Sequence, residues 1–337
     1  MRRGSEEQAL VKICLTGDHA DEMRPRVDEI LCAAGVEGEV IVLDAAGCFD
    51  GDPSGIEVVY FSLGVTKYAA AMKSLLPLFD EPQLRWMQGP GAGVDNPIWQ
   101  PILDRGTRLT NASGIHSEPI AQYIFAYVLH WERNVARHLA QQGARHWEVI
   151  RGGDLGAKTL GIVGYGGIGR AAGRVGKAFG MRVLGSRRTP IDDPNLDRFV
   201  PPESLHELLA ESHYVVLCMP FSDETVGMIG AGELAAMRQD AVLINVARGG
   251  VMDEPALIEA LRSRAIRGAT LDVTSVEPLP PESPLWSLEN CVLTPHDAGY
   301  SPLGDERLGA LFLENLGRFV RDEAMVNEIF TSGLTNR

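Results

Sequence analysis

Two short stretches of this 337-residue chain hold residue types in a spacing that chemistry can use. The first, GIVGYGGIGR, carries Gly164-x-Gly166-x-x-Gly169 directly after an apolar run, Thr159 to Val163, and opens a helical pattern through Val175, Ala178 and Phe179. Between strand and helix, that spacing is a dinucleotide fingerprint. Backbone amides at a helix N-terminus must come close to a pyrophosphate, which a Cβ at Gly164 or Gly166 would obstruct, while Gly169 lets helix and sheet touch. Gly173, Gly176 and Gly180 follow in the helical pattern, and because glycine weakens a helix, close packing is the expected reason for them. The second stretch, MRVLGSRRTP, is the next apolar run and ends in two arginines. Arg187 falls eighteen residues after Gly169, where a site for NAD places an acid against the ribose 2′-hydroxyl. With Ser186 before it and Arg188 after it, Arg187 offers charge-assisted hydrogen bonds to a 2′-phosphate instead, so NADP is expected in preference to NAD. Arg170, Arg174 and Arg182 either add to that local field or form a solvated face.

A glycine loop of this kind needs a strand and a helix on either side of it, and the chain supplies both in series. Short β-branched runs alternate with longer mixed segments at 11–16, 39–44, 57–62, 84–88 and 107–111. A second series, KTLGIVGYG, MRVLGS, HYVVLCMP, AVLINVA, RGATLDV and CVLTP, starts near residue 158. The alternation predicts an α/β chain with two doubly wound parallel sheets in tandem. Between the series, Ile120, Tyr123, Ile124, Tyr127, Val128, Trp131 and Val135 recur at helical spacing after Ser117, placed to cap, and Pro119. One long amphipathic helix over 117–139 is expected, its aromatic stripe a core face. A last helix carries Leu308, Leu311, Phe312, Leu316 and Phe319 on one face.

Composition narrows the function classes. A hydrophobic content of 45% over this length supports two cores of ordinary size. A formal net charge of −14 argues against general affinity for nucleic acid or an anionic membrane, so any anion site is local. The five cysteines, Cys14, Cys32, Cys48, Cys218 and Cys291, have no CxxC pairing and suit neither a disulfide framework nor a zinc site; no bound metal is expected and a reducing cytoplasm is the simplest setting. The N-terminal residues do not read as a secretory signal, and no run is long enough to span a bilayer.

Further along stand NVARGG at 245–250, GATLDVTSVEPLP at 268–280 and LTPHDAG at 293–299. With GAGVDN at 91–96 and GYGGIG at 164–169, the chain resembles the D-isomer-specific 2-hydroxyacid dehydrogenases, of the glyoxylate/hydroxypyruvate reductase type, over nearly its whole length. The resemblance implies a triad. Arg248 would grip the substrate's carboxylate and 2-oxo group through its two-pronged guanidinium, His296 would donate a proton to the carbonyl oxygen, and Glu277 would hold the imidazole. It also implies that Asp272 holds the nicotinamide carboxamide and that backbone at Ala92 and Gly93 binds the substrate carboxylate. Further implied cofactor contacts are Gly167 and Ile168 at the pyrophosphate, Met219 and Pro220 near the adenosine, Thr225, and Val246 with Ala247.

The same resemblance implies a Rossmann dinucleotide-binding domain over 115–301, inserted into a flavodoxin-like substrate domain made of 1–114 and 302–337. It adds a cleft closed by hinges near Gly114 and Gly299, and a homodimer through the inserted domain, which makes the aromatic helix over 117–139 a candidate interface as well as a core face. Three positions depart from the family pattern: Gln122 where glutamate is frequent, His213 where a strand commonly begins with aspartate, and Asp297 where an apolar residue is usual. Whether Asp297 acts on His296 or faces solvent is open at this level. Phe61, Ser62, Trp286 and Tyr300 are candidates for the substrate pocket. The resemblance leaves room for a phosphite dehydrogenase and for a nucleotide-sensing corepressor-like protein. Formate oxidation is disfavoured by Glu277, where formate enzymes pair their histidine with glutamine.

Overall fold

The computed structural model describes residues 10–330, which form two compact units: one from the chain up to Ile115 with the residues from Ser301 on, the other from His116–Tyr300. Five strands come first: β1 (Val11–Thr16), β2 (Gly38–Leu43), β3 (Val58–Tyr60), β4 (Trp86–Gln88) and β5 (Arg108–Thr110). Seven follow in the second unit: β6 (Thr159–Val163), β7 (Arg182–Ser186), β8 (Arg198–Val200), β9 (Tyr214–Leu217), β10 (Val242–Asn245), β11 (Gly268–Leu271) and β12 (Cys291–Leu293). The last, β13 (Glu328–Ile329), returns to the first unit.

The first sheet runs β13-β5-β4-β3-β1-β2, parallel except for β13 against β5. The second runs β12-β11-β10-β9-β6-β7-β8 and is parallel throughout. Every residue of β6, β9, β10 and β11 is buried, because a parallel sheet covered on both faces asks for continuous apolar runs rather than alternation. In each sheet the strand order reverses beside the first strand, between β1 and β3 and between β6 and β9, which is where open α/β sheets place their ligands. Both sheets are therefore doubly wound, as expected. The sequence series omits β8 and β13, which are edge strands of three and two residues, too short to register as apolar runs.

The helix Pro302–Val320 buries Leu308, Leu311, Phe312, Leu316 and Phe319, and Phe312 stacks on Trp86 of β4 at 5.0 Å between ring centres. The expected single helix over 117–139 is two helices, Ser117–Glu132 and Val135–Gly143. Asn134 stands between them at φ 53°, a left-handed conformation that asparagine tolerates better than most residues, and its amide side chain donates to the Arg151 carbonyl. Ser117 does not cap; His116 occupies that position without a side-chain cap bond. Among the described residues no helix is long and apolar enough to cross a membrane.

Glycine positions in the second unit have specific causes. The side chain of Tyr165, in the middle of the GYG turn, is fully buried; its hydroxyl lies 2.7 Å from where a Cβ at Gly173 would be, and its ring edge 2.6 Å from where one at Gly185 would be. At Gly176 a Cβ would press on Leu160 at 3.0 Å. Close packing thus accounts for Gly173 and Gly176, whereas Gly180 takes a φ of 74° at the helix end.

Candidate active site

Gly164, at φ 96°, ends β6, and a Cβ there would collide with the backbone of Met219 beyond β9. Its amide and that of Tyr165 both donate to the Ser186 carbonyl at 2.9 Å, which pins the turn to the end of β7. At Gly169 a Cβ would meet the Gly164 carbonyl at 2.9 Å. Gly166 differs: the nearest protein atom to its would-be Cβ is 3.9 Å away, so nothing within the chain demands glycine. That open space leaves room for a phosphate. The helix Gly167–Ala178 starts there with no side-chain cap and no acidic residue in its first turn, so the amides of Gly167, Ile168 and Gly169 are those a helix leaves without acceptors. This cradle fits a dinucleotide pyrophosphate.

At the end of β7, Ser186 is buried, Arg187 half-buried and Arg188 exposed. Arg188 lies 3.5 Å from Glu224. Arg170 pairs with Asp193 at 2.9 Å, Arg174 with Glu118 at 2.6 Å and Arg182 with Glu211 at 2.6 Å. Met219 is buried and Pro220 exposed after β9, and the Thr225 hydroxyl ties that loop by donating to the Pro220 carbonyl at 2.8 Å. Cys218 beside them is inert: burial pushes its thiol up to about 12.

The remaining candidates gather at the ends of β10, β11 and β12. Buried Asn245 organises the turn through Val246 and Ala247 to Arg248: its side chain accepts from the Ala247 amide and donates to the Arg248 carbonyl, both at 3.0 Å. Gly249 follows because a Cβ there would collide with the Thr274 carbonyl, so the Arg248 turn rests directly on the loop that carries Glu277. Glu277 accepts from the Thr274 amide at 3.1 Å through one oxygen and lies 2.8 Å from Nδ1 of His296 through the other. With Nδ1 turned to a carboxylate, Nε2 is the nitrogen left to exchange a proton with a substrate.

His296 itself sits at φ 56°, uncommon for a residue with a Cβ. Such a conformation costs about 1–3 kcal/mol and needs surrounding bonds to hold it. Asp272 provides them. Its carbonyl accepts from the His296 amide at 2.8 Å, and its carboxylate accepts from the Asp297 amide at 3.0 Å, the Ala298 amide at 3.1 Å and the Thr294 hydroxyl at 2.6 Å. Hydrogen bonds to a charged acceptor contribute about 1.5–3 kcal/mol each, enough to offset the strain. The Asp297 carboxyl is held above its ordinary range by partial burial and by Asp272, so it is coupled to that neighbour. His213, the other departure, accepts from the Thr159 amide through Nδ1 at 3.1 Å; burial and nearby Arg238 and Lys158 hold it below its ordinary value, as an acceptor nitrogen requires.

A family model described as D-isomer specific 2-hydroxyacid dehydrogenase, NAD binding domain, matches residues 125–298, just over half of the chain. The chain belongs to the D-isomer specific 2-hydroxyacid dehydrogenases. A glyoxylate reductase of Korarchaeum cryptofilum is 39% identical over 255 residues, 73% of this chain and 76% of that protein. Among solved structures, a D-isomer specific 2-hydroxyacid dehydrogenase family protein from Aeromonas salmonicida matches with TM-score 0.78 at 28% identity, over 96% of this chain and 99% of the other. The NADPH-dependent glyoxylate/hydroxypyruvate reductase of Sinorhizobium meliloti, solved with NADP and sulfate, matches with TM-score 0.74 at 25% identity, over 95% and 98%. As a 2-hydroxyacid dehydrogenase the protein is an NAD(P)-dependent oxidoreductase, and its second unit has the Rossmann strand order.

Ala92 and Gly93 lie in the first unit, exposed and half-buried after β4, with the Ala92 carbonyl held by the Asn111 side chain at 2.7 Å. Of the pocket candidates, Phe61 and Ser62 are buried: Phe61 packs on Phe79 and Trp99, and Ser62 bonds Thr16. They belong to the core of their unit rather than to a pocket wall. Trp286 and Tyr300 are more than half, and half, exposed. Asn245 and Thr294, which sequence reasoning missed, lie inside the NVARGG and LTPHDAG motifs, where their polar side chains beside the arginine and the histidine were the available signal.

Proposed function

We propose that this dehydrogenase reduces small 2-oxo acids of the glyoxylate or hydroxypyruvate type to D-2-hydroxy acids with NADPH. The observation that carries the proposal is the Glu277–His296 pair, 2.8 Å apart, beside a turn that presents Arg248. Arg248 binds the carboxylate and polarises the 2-oxo group with a planar fork of donors. His296 delivers its proton from Nε2 to the carbonyl oxygen, and Glu277 fixes the ring and balances the charge on its protonated form. A nicotinamide dinucleotide, when bound, supplies the hydride. The backbone of Ala92 and Gly93 is assigned to the substrate carboxylate, residues 1–114 with 302–337 to the substrate-binding domain, and residues 115–301 to the dinucleotide-binding domain.

Gly164, Gly166, Gly167, Ile168 and Gly169 take the pyrophosphate, Met219, Pro220 and Thr225 line the adenosine side, and Val246, Ala247 and Asp272 the nicotinamide side. Arg187 selects the 2′-phosphate together with Ser186 and Arg188. Support comes from its neighbours: Arg170, Arg174, Arg182 and Arg188 each face a carboxylate, whereas no bonding partner stands against Arg187 among the described residues. The NADPH dependence of the Sinorhizobium enzyme points the same way. Exposed Leu139, Trp147 and Val149 suit the partner face of a homodimer.

The test is a panel of glyoxylate, hydroxypyruvate, pyruvate and larger 2-oxo acids with NADPH and NADH, followed by chiral analysis of the product. D-2-hydroxy acid formed with at least about tenfold higher kcat/KM for NADPH, equivalent to ~1.4 kcal/mol, is expected. Absence of turnover, an L product, or equal use of NADH would refute the corresponding part.

A further inference from the structure

The aromatic face of the helix Ser117–Glu132 is more than a core filler. The Tyr123 hydroxyl lies 2.6 Å from the Thr294 hydroxyl, which in turn donates to the Asp272 carboxylate at 2.6 Å. With the threonine proton committed to a carboxylate, the proton between the two hydroxyls comes from Tyr123. Burial pushes the Tyr123 phenol upward, which keeps it protonated and a donor. The order is thus directional: tyrosine to threonine to buried aspartate, and from that aspartate to the amides of Asp297 and Ala298 on either side of the backbone step after His296. Among the described residues, the three donors to the Asp272 carboxylate come from the five residues 294–298. The alignment depends on the parallel register that sets Leu271 opposite Leu293, so that the residues just beyond the two strands meet.

From this geometry we infer that Tyr123 and Thr294 are positioning residues for the proton donor. Their two hydroxyls lock the Asp272 carboxylate in one orientation, and that orientation holds the left-handed turn presenting His296. The inference rests on the proposed role of His296. Neither residue touches the reacting atoms, so their loss acts on the chemical step and leaves substrate binding by Arg248 nearly intact.

The experiment compares Tyr123→Phe, Thr294→Val, the double variant and Thr294→Ser. Two readouts serve: kcat and KM for the best 2-oxo acid, and residue-resolved hydrogen exchange of the Asp297 and Ala298 amides without ligand. Thr294→Val is expected to lower kcat about tenfold, short of the ~10²-fold that an ångström of misplacement costs, with KM changed less than about threefold. The two amides should exchange about tenfold faster. Tyr123→Phe keeps the ring packed against Tyr127 and should give about a threefold loss. The double variant should be no worse than Thr294→Val alone, because Tyr123 acts only through Thr294. Thr294→Ser should restore most of kcat. Additive losses, a Thr294→Val enzyme with normal kcat, or unchanged amide exchange would each overturn the relay. If Thr294→Val fails to fold, the loss of kcat and faster exchange in Tyr123→Phe decide the matter alone. Should the wild type turn over no 2-oxo acid, the functional reading fails while amide exchange still judges the relay.

Discussion

β1 and β6 lead their sheets, and each runs into a glycine with a positive φ: Gly17 at 93° and Gly164 at 96°. In both, a Cβ would collide with the chain just past the neighbouring strand at the switch point, Ser62 after β3 or Met219 after β9. The turns then diverge. After Gly17 the helix Ala20–Ala33 begins with Asp21 and Glu22 in its first turn, which already satisfy the positive end of the helix. After Gly164 come Gly166, Gly167 and Gly169 and a helix with no acid in its first turn. The other strand ends repeat the contrast. Thr16 bonds Ser62 and Gln88 bonds Thr110, so polar groups in the first unit satisfy one another. In the second unit the loops after β10, β11 and β12 instead carry Arg248, Glu277 and His296, with Glu277 2.8 Å from His296. Topology provides the place for a site in both units; the charge and shape of a few residues after the strands decide which one takes an anion.

The sharpest test removes the chemistry from the second unit alone. His296→Ala and Arg248→Ala are each expected to lower kcat at least ~10²-fold, the scale for losing a general acid or a carbonyl-polarising donor. His19→Ala, at the matching turn of the first unit, should change it less than about threefold; near-normal kcat in His296→Ala would end the mechanism. Ile168→Asp gives the second unit the acidic first turn of the first. It should weaken both NADPH and NADH binding more than tenfold, since an anion next to the pyrophosphate costs upward of ~1.4 kcal/mol; titration by cofactor fluorescence measures it. Arg187→Asp should lower kcat/KM for NADPH about tenfold and spare NADH. A loss shared equally by both cofactors would show that Arg187 serves the fold, not selection.

The smallest effect belongs to the first unit. Glu328 of β13 pairs with Arg108 of β5 at 2.6 Å, and the guanidinium holds its carboxyl below the ordinary 4.5. A depressed carboxyl adds stability above its unfolded value, lost as pH falls through the folded one. Glu328→Gln should therefore lower Tm by ~2–4 °C at pH 7, with the difference from wild type shrinking as pH falls below the ordinary 4.5 in a thermal melt series. A pH-independent difference would assign the loss to packing instead of charge.

The glycine loop and the position of the Arg187–Arg188 pair were legible because backbone geometry dictates them: no other residue type allows the turn at Gly164, and spacing along one strand and one helix fixes where Arg187 falls. Arg248, Glu277 and His296 stood out as candidates only through their motifs, since nothing local in an arginine, a glutamate or a histidine announces a partner. What stayed hidden depends on register or on hydrogen-bond continuity. Apolar periodicity runs on from Trp131 to Val135 as though the helix continued, because periodicity reports a buried face and is blind to the left-handed Asn134. Phe61 and Ser62 were pocket candidates whose placement loop geometry decides, and packing against Phe79, Trp99 and Thr16 buries them. The service of Asp272 to the His296 turn appears only once β11 and β12 are aligned.

The first unit is assembled from both ends of the chain, and that has a consequence during synthesis on the ribosome. Trp86 and Tyr60 find their aromatic partner Phe312 on a helix that starts only at Pro302, and β5 finds β13 later still. Everything through Ile115 emerges first and then waits while the 185 residues of His116–Tyr300 are made. At ~5–20 residues per second, that interval is roughly 10–40 s. For that time the second unit can fold as a contiguous piece, while an apolar sheet face of the first stands open to chaperones or to a neighbouring nascent chain.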